Sequence, residues 1–149
     1  MPTLFEQVTK DIADAMRQKS PSLAPLRMLK AALMNREVER GRALDAAESL
    51  QVVSSLVKQR RDSIDQFRAG GRQDLVDREQ AEIAVLERYL PPAADDATIE
   101  KAIEDAVAET GAAGPKDMGK VMKATLARLE GATVDGRKLS ELVKRRLAG

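Results

Sequence analysis

The sequence of 149 residues contains no cysteine, no histidine and no tryptophan. Without cysteine, disulfides and thiolate metal sites are excluded. Without histidine, the commonest general base and the commonest metal ligand are gone. The aromatic residues are Phe5, Phe67 and Tyr89 only. A stacking platform for single-stranded nucleic acid needs several aromatic faces, so that mode of binding is not expected. No apolar run approaches the roughly 20 residues that cross a bilayer, and no membrane partner is expected. The first residues, Met1-Pro2-Thr3-Leu4-Phe5-Glu6, lack a basic-then-apolar signal pattern. The expectation is a cytoplasmic protein. One sign of charge is not in excess either, since 25 Lys+Arg stand against 24 Asp+Glu. A whole-molecule attraction for nucleic acid is thus excluded, and only local patches can support one.

What is present is helical periodicity throughout, with strand-like alternation nearly absent. Apolar residues make up 43% of the chain, enough for a packed core. The pattern predicts an all-α fold of seven helices. The first runs from about Thr3 to Lys19, with Thr3 and Glu6 spaced as a capping box. The second runs from about Leu23 to Arg40 and stops at Gly41. The third starts at Asp45, whose pairing with Glu48 reads as another capping box, and continues to about Ala69. The fourth runs from about Gln73 to Leu90, where Pro91-Pro92 closes it. Three shorter helices follow, near Asp95–Gly111, Lys116–Leu129 and Arg137–Leu147.

Pro91-Pro92-Ala93-Ala94 reads as a linker, so two helical subdomains are expected, residues 1–92 and 95–149. The second is small for an independent core and is expected to be the less stable. Charge is unevenly spread between its helices. Residues 95–110 hold six acids and one base, net −5, and residues 116–149 hold nine bases and four acids, net +5.

Advancing each helix by about 100° per residue shows charges where apolar residues belong. Arg60 falls within the stripe of Leu56, Val57, Ile64 and Phe67. Arg36 continues the stripe of Leu26, Leu29 and Leu33. Glu79 and Glu82 sit inside that of Leu75, Ile83 and Leu86. An unpaired charge in such a place is costly, so opposite charges should meet. A partly buried network of Arg36 and Arg60 with Glu79 and Glu82 is the expectation, its role being to fix helix register. Two other readings stay open. The glutamates, at i and i+3, serve a hard cation or acid–base work, or the charged ends snorkel to solvent.

Lys116, Lys120 and Lys123 are spaced to share one face of the sixth helix. Gly119 beside them leaves backbone accessible, and Arg137 and Lys138 add bases nearby in sequence. Such a surface contacts phosphates without reading sequence, which suits a folded RNA. An ordinary solvated face has the same pattern. A second basic cluster, Lys58, Arg61, Arg68 and Arg72, is diluted by Asp62 and Asp65. There is no P-loop, no GxGxxG and no GxSxG elbow. No recognition helix suited to reading DNA sequence stands out. No catalytic site able to work alone is found, and no metal or cofactor is expected.

An ordered set of segments resembles the YqeY family. These are Arg27-Met28-Leu29-Lys30-Ala31-Ala32-Leu33, Gln59-Arg60-Arg61-Asp62-Ser63-Ile64, Gly71-Arg72-Gln73-Asp74-Leu75-Val76, Glu82-Ile83 with Leu86, Tyr89-Leu90-Pro91, and Asp117-Met118-Gly119-Lys120-Val121-Met122. Such proteins resemble the helical and tail region of the B subunit of the tRNA-dependent Glu/Asp amidotransferase. The resemblance implies about four helices followed by three, with tRNA as a candidate partner of the tail. It also implies a link to carbon–nitrogen ligation with glutamine as amido donor. The sequence has no counterpart of that subunit's cradle domain, so a non-catalytic tRNA-binding accessory module is expected. The alternative is a helical module that docks on a larger protein and touches no RNA.

Overall fold

A computed structural model describes residues 2–149. It is all-α, with seven α-helices and, among the described residues, no strand. The chain divides into two compact units, one ending at Leu90 and the other beginning at Pro91.

The first unit contains α1 (Leu4–Gln18), α2 (Leu23–Arg40), α3 (Ala46–Ala69) and α4 (Gln73–Glu87). The Thr3 hydroxyl caps α1 by accepting from the Glu6 N–H at 3.1 Å. At α3 the capping box is complete. Asp45 accepts from the Glu48 N–H at 2.8 Å, and Glu48 accepts from the Asp45 N–H at 3.1 Å. Gly41 ends α2 at φ 69°, where a side chain would be strained. The core is built by Val8, Leu29, Leu33, Val53, Val76 and Leu86, all essentially inaccessible.

α4 ends at Glu87, three residues short of the expected Leu90. Pro91 restricts the residue before it and offers no N–H, so the helix cannot be carried to it. The shortening has a structural effect. Tyr89 leaves the helix and its hydroxyl donates to Asp11 Oδ2 on α1 at 2.5 Å. Burial first, and then the Asp11 hydrogen bond, push the Tyr89 phenol above its usual range.

The second unit contains α5 (Asp96–Thr110), α6 (Met118–Arg128) and α7 (Gly136–Ala148), with a 3₁₀ turn at Pro115–Asp117. Its core is Ile99, Ile103, Ala106, Val121, Leu139 and Val143. The fully buried Thr125 satisfies its hydroxyl within α6 by donating to the Val121 carbonyl at 2.7 Å. The segment expected to be a linker is tied down. The Thr133 N–H donates to the Pro92 carbonyl at 3.1 Å, and the Ala94 N–H donates to the Thr133 carbonyl at 3.0 Å. Pro91 and Pro92 therefore belong with the second unit: proline lacks an N–H but keeps a carbonyl, and Thr133 uses both carbonyls.

Candidate nucleic-acid interface

Three of the bases that follow α5, Arg128, Lys138 and Arg146, are paired with its acids. Lys138 Nζ donates to Asp96 Oδ1. Arg146 holds both oxygens of Glu104. Arg128 donates twice to Glu109 Oε2, at 2.9 and 3.2 Å. These contacts move protons' affinities in the expected directions. The Arg146 hydrogen bond holds the Glu104 carboxyl below the usual carboxylate range, and the Asp96 hydrogen bond holds Lys138 above its own. Lys138, expected in the basic surface, is thus committed to α5. Arg137 lies in the first turn of α7, where its N–H donates to Asp135 Oδ1 at 3.0 Å.

Lys116, Lys120 and Lys123 are all exposed. The expected single helical stripe needs one correction, because α6 begins at Met118 and Lys116 occupies the preceding 3₁₀ turn. Gly114 and Pro115 cause this, the first by extending the chain and the second by starting a tight turn. The turn is braced by Asp117, whose carboxylate accepts from the Ala113 N–H at 3.0 Å. That bond is the main reason the Asp117 carboxyl sits low, and the charges of Lys120 and Lys116 add to it. Neither lysine forms an ion pair with that carboxylate among the described residues. Val121, Thr125 and Leu129 turn inward, which leaves Lys120 and Lys123 on the outer side.

Gly119 stands on that outer side, in the first turn of α6. A Cβ built there meets nothing within 4 Å, and the residue is not among the left-handed glycines. Glycine in a helix is costlier than alanine by up to about 1 kcal/mol. Neither backbone conformation nor packing inside this unit requires that cost.

In the first unit, Arg60 is 6% exposed. Its Nε donates to Glu82 Oε2 at 3.0 Å and lies 3.9 Å from Glu79 Oε2. One terminal nitrogen reaches the Leu56 carbonyl at 3.4 Å and the other faces Met28 Sδ. Three of the four residues expected in the ion network are brought together. Arg36 is not. It pairs with Glu39 at 3.5 Å on a half-exposed surface. Three helical steps place Arg36 about 60° round the helix from Leu33, and its long stem carries the charge out to a partner one turn on. Both glutamates turn toward Arg60. Among the described residues no three acidic side chains gather as a metal ligand set. In the second basic cluster, Arg61 is bonded to Glu87 at 2.9 Å and Arg72 to both oxygens of Asp74.

Two contacts had no signal in the sequence. Tyr89 and Asp11 are 78 positions apart, beyond any local pattern. Arg42 grips both oxygens of Glu48, at 2.7 and 2.9 Å. That grip, with the backbone bond at Asp45, holds the Glu48 carboxyl down to about 2.

The family described as Yqey-like protein matches residues 5–147, and the chain belongs to it. Curated relatives carry the name "Altered inheritance of mitochondria protein 41, mitochondrial". The protein of Lachancea thermotolerans is 33% identical over 110 residues, which cover 71% of this chain and 59% of that protein. That of Pyrenophora tritici-repentis is 27% identical over 144 residues, covering 95% of this chain and 79% of its own length. That of Eremothecium gossypii is 37% identical over 83 residues, covering 54% and 45%. The match thus spans about three fifths of the Lachancea protein and less than half of the Eremothecium protein. These relatives are named as mitochondrial, which overturns the expectation of a cytoplasmic protein. The signal-pattern argument behind that expectation reads only the first few residues of a chain shorter than its relatives.

Proposed function

We propose that this chain is a tRNA-binding accessory module that holds RNA phosphates at Lys116, Lys120 and Lys123 and does no chemistry of its own. Gly119 carries the reading. It is a helical glycine with open space beside it, set among three exposed lysines, in a unit whose other basic helix has Lys138 and Arg146 paired with acids of α5. A missing Cβ lets a phosphate approach the first-turn backbone, where N–H groups point outward and the helix dipole favours an anion. Lysines supply point charges around it without reading sequence.

Changing Lys116, Lys120 and Lys123 to Glu should abolish retention of bulk tRNA on a filter. Each lost phosphate contact should also flatten the logarithmic salt dependence, by roughly 2 to 3 units in all for the three lysines. Equal retention of wild type and triple variant ends the proposal. Gly119→Ala separates the ligand from the fold. It should raise stability by up to about 1 kcal/mol while weakening tRNA binding.

A second reading, a protein-docking module with no RNA contact, is favoured by α2. Its outer face exposes Met34 and Val38, the latter at 81%. Recovery of protein without RNA after crosslinking in cells would support it.

A further inference from the structure

We propose that the first unit has a binding cleft for a small zwitterion of dipeptide size, carrying one ammonium and one carboxylate. The cleft has a volume of about 520 Å³ and lies between α1, the α1–α2 turn and the end of α4. Its floor is apolar, formed by the buried Ala15 and Leu26. Its walls are polar and carry both signs of charge. Asp11 and Asp14, one turn apart on α1, supply the negative wall, Asp14 being paired with the exposed Arg17. Arg88 supplies the positive one. Ser20 and Ser22 add hydroxyls from the turn.

The negative wall is fixed in place. Asp11 accepts from Tyr89 and from the Gln7 amide at 3.3 Å, so its carboxylate is held between α1 and the segment that follows α4. Tyr89 has a raised phenol pKa and keeps its proton for that bond. The positive wall is left without an answer. Arg88 enters none of the ion pairs formed by the described residues, although the cleft it lines contains two carboxylates. A guanidinium that lines the same cleft as two acids and is paired with neither is free to take an anion from outside the chain. Carboxylate is the anion that its planar fork fits with two bonds. The acids of the same cleft can take an ammonium, Asp14 by exchanging its solvent-exposed pair with Arg17, and the apolar floor suits an aliphatic side chain between the two charges. Ligand pockets of roughly 300–1,000 Å³ accept molecules of this class.

The probe is the dipeptide alanyl-leucine, with its N-acetylated and C-amidated forms as controls, followed by amide shifts in NMR. The free dipeptide should shift the signals of Ser20, Ser22 and Tyr89. Each blocked form should bind at least about tenfold more weakly, since a charge-assisted contact is lost with each block. Arg88→Gln, at an exposed position outside the core, should erase the difference between free and amidated dipeptide. It should keep the difference between free and acetylated dipeptide. Asp14→Asn should do the reverse. A normal thermal melt for each variant shows that the fold is intact. Absence of shifts at about 10 mM dipeptide, far weaker than the affinity of functional pockets, overturns the proposal. So does equal binding of all three forms, or an unchanged preference in Arg88→Gln.

Discussion

The two units differ in how deep they place charge between their helices: the first buries one ion pair and the second, among the described residues, buries none. The first unit places one cross-helix pair inside, Arg60 and Glu82, which keep 7% and 16% of their side chains exposed, and leaves a second, Arg61 and Glu87, half-exposed. The second places its pairs at the rim, where Arg146 and Glu104 keep 43% and 56%. Coulomb attraction grows as water is excluded, but so does the cost of stripping water from each ion. A buried pair therefore becomes a condition of folding, because either partner alone is worse than neither. A rim pair is a modest gain that solvent and salt share. The difference tells which charges are structural and which face outward, and Lys116, Lys120 and Lys123 near Gly119 are among those that face outward.

The largest expected effect follows from the buried pair. Arg60→Met should destabilise the first unit by about 3 kcal/mol, because it strands Glu82 beside an apolar surface. Partial exposure of Glu82 and the Arg78 guanidinium 3.9 Å away soften the loss. Tyr89 is the only tyrosine and lies in the first unit, so its fluorescence during denaturant unfolding reports that unit. The double variant Arg60→Met with Glu82→Leu should recover much of the loss. An unchanged midpoint in the single variant removes the network from the account of stability.

Arg60 also shows what a sequence can disclose. Its place on an apolar stripe demanded an opposite charge, and two glutamates on a stripe of their own were the evident partners. Arg36 continues an apolar stripe in the same way, yet it pairs with Glu39 at the surface. Angular position gives the direction of Cα–Cβ, whereas a long stem decides where the guanidinium ends. Near the end of α2 solvent was within reach. The helices were legible because caps and prolines are local signals, as at Asp45 and Glu48. Tyr89 was not, since its partner lies on another helix and α4 had to stop early to free it. For the candidate interface, the sequence marked the lysines and Gly119. It could not distinguish Lys138, already paired across space with Asp96, from Lys120 and Lys123. Charge counts show that α5 and α7 balance, and only the fold shows that they meet.

An intermediate case sits at the start of α3. Glu48 keeps only 13% of its side chain exposed and is held down to about 2 by Arg42 and the capping bond. A carboxyl whose folded pKa lies below its unfolded value stabilises the folded state above the unfolded pKa. The contribution fades as pH falls through the folded value. Glu48→Gln should therefore lower the thermal midpoint at pH 6, and wild type and variant should converge as pH falls from about 4.5 toward 2. A midpoint difference that stays constant over that range would assign the loss to the cap geometry alone.

The smallest effect is expected at the rim of the second unit, and it tests the comparison most directly. Arg146→Ala removes the partner of Glu104, and Glu104 then faces water. The folded carboxyl, now held low chiefly by Arg146, should return toward its ordinary range, and carbon-detected NMR titration reads that directly. Stability should fall only slightly at low salt. The fall should vanish near 1 M salt, where the screening length shrinks to about 3 Å. Arg60→Met should keep most of its effect at that salt, because ions do not enter a buried contact. If Arg146→Ala instead unfolds the second unit as deeply as Arg60→Met unfolds the first, the division between interior and rim fails. The basic surface would then have to be reconsidered as part of the fold, since a lysine that supports its own helix has less freedom to hold a phosphate.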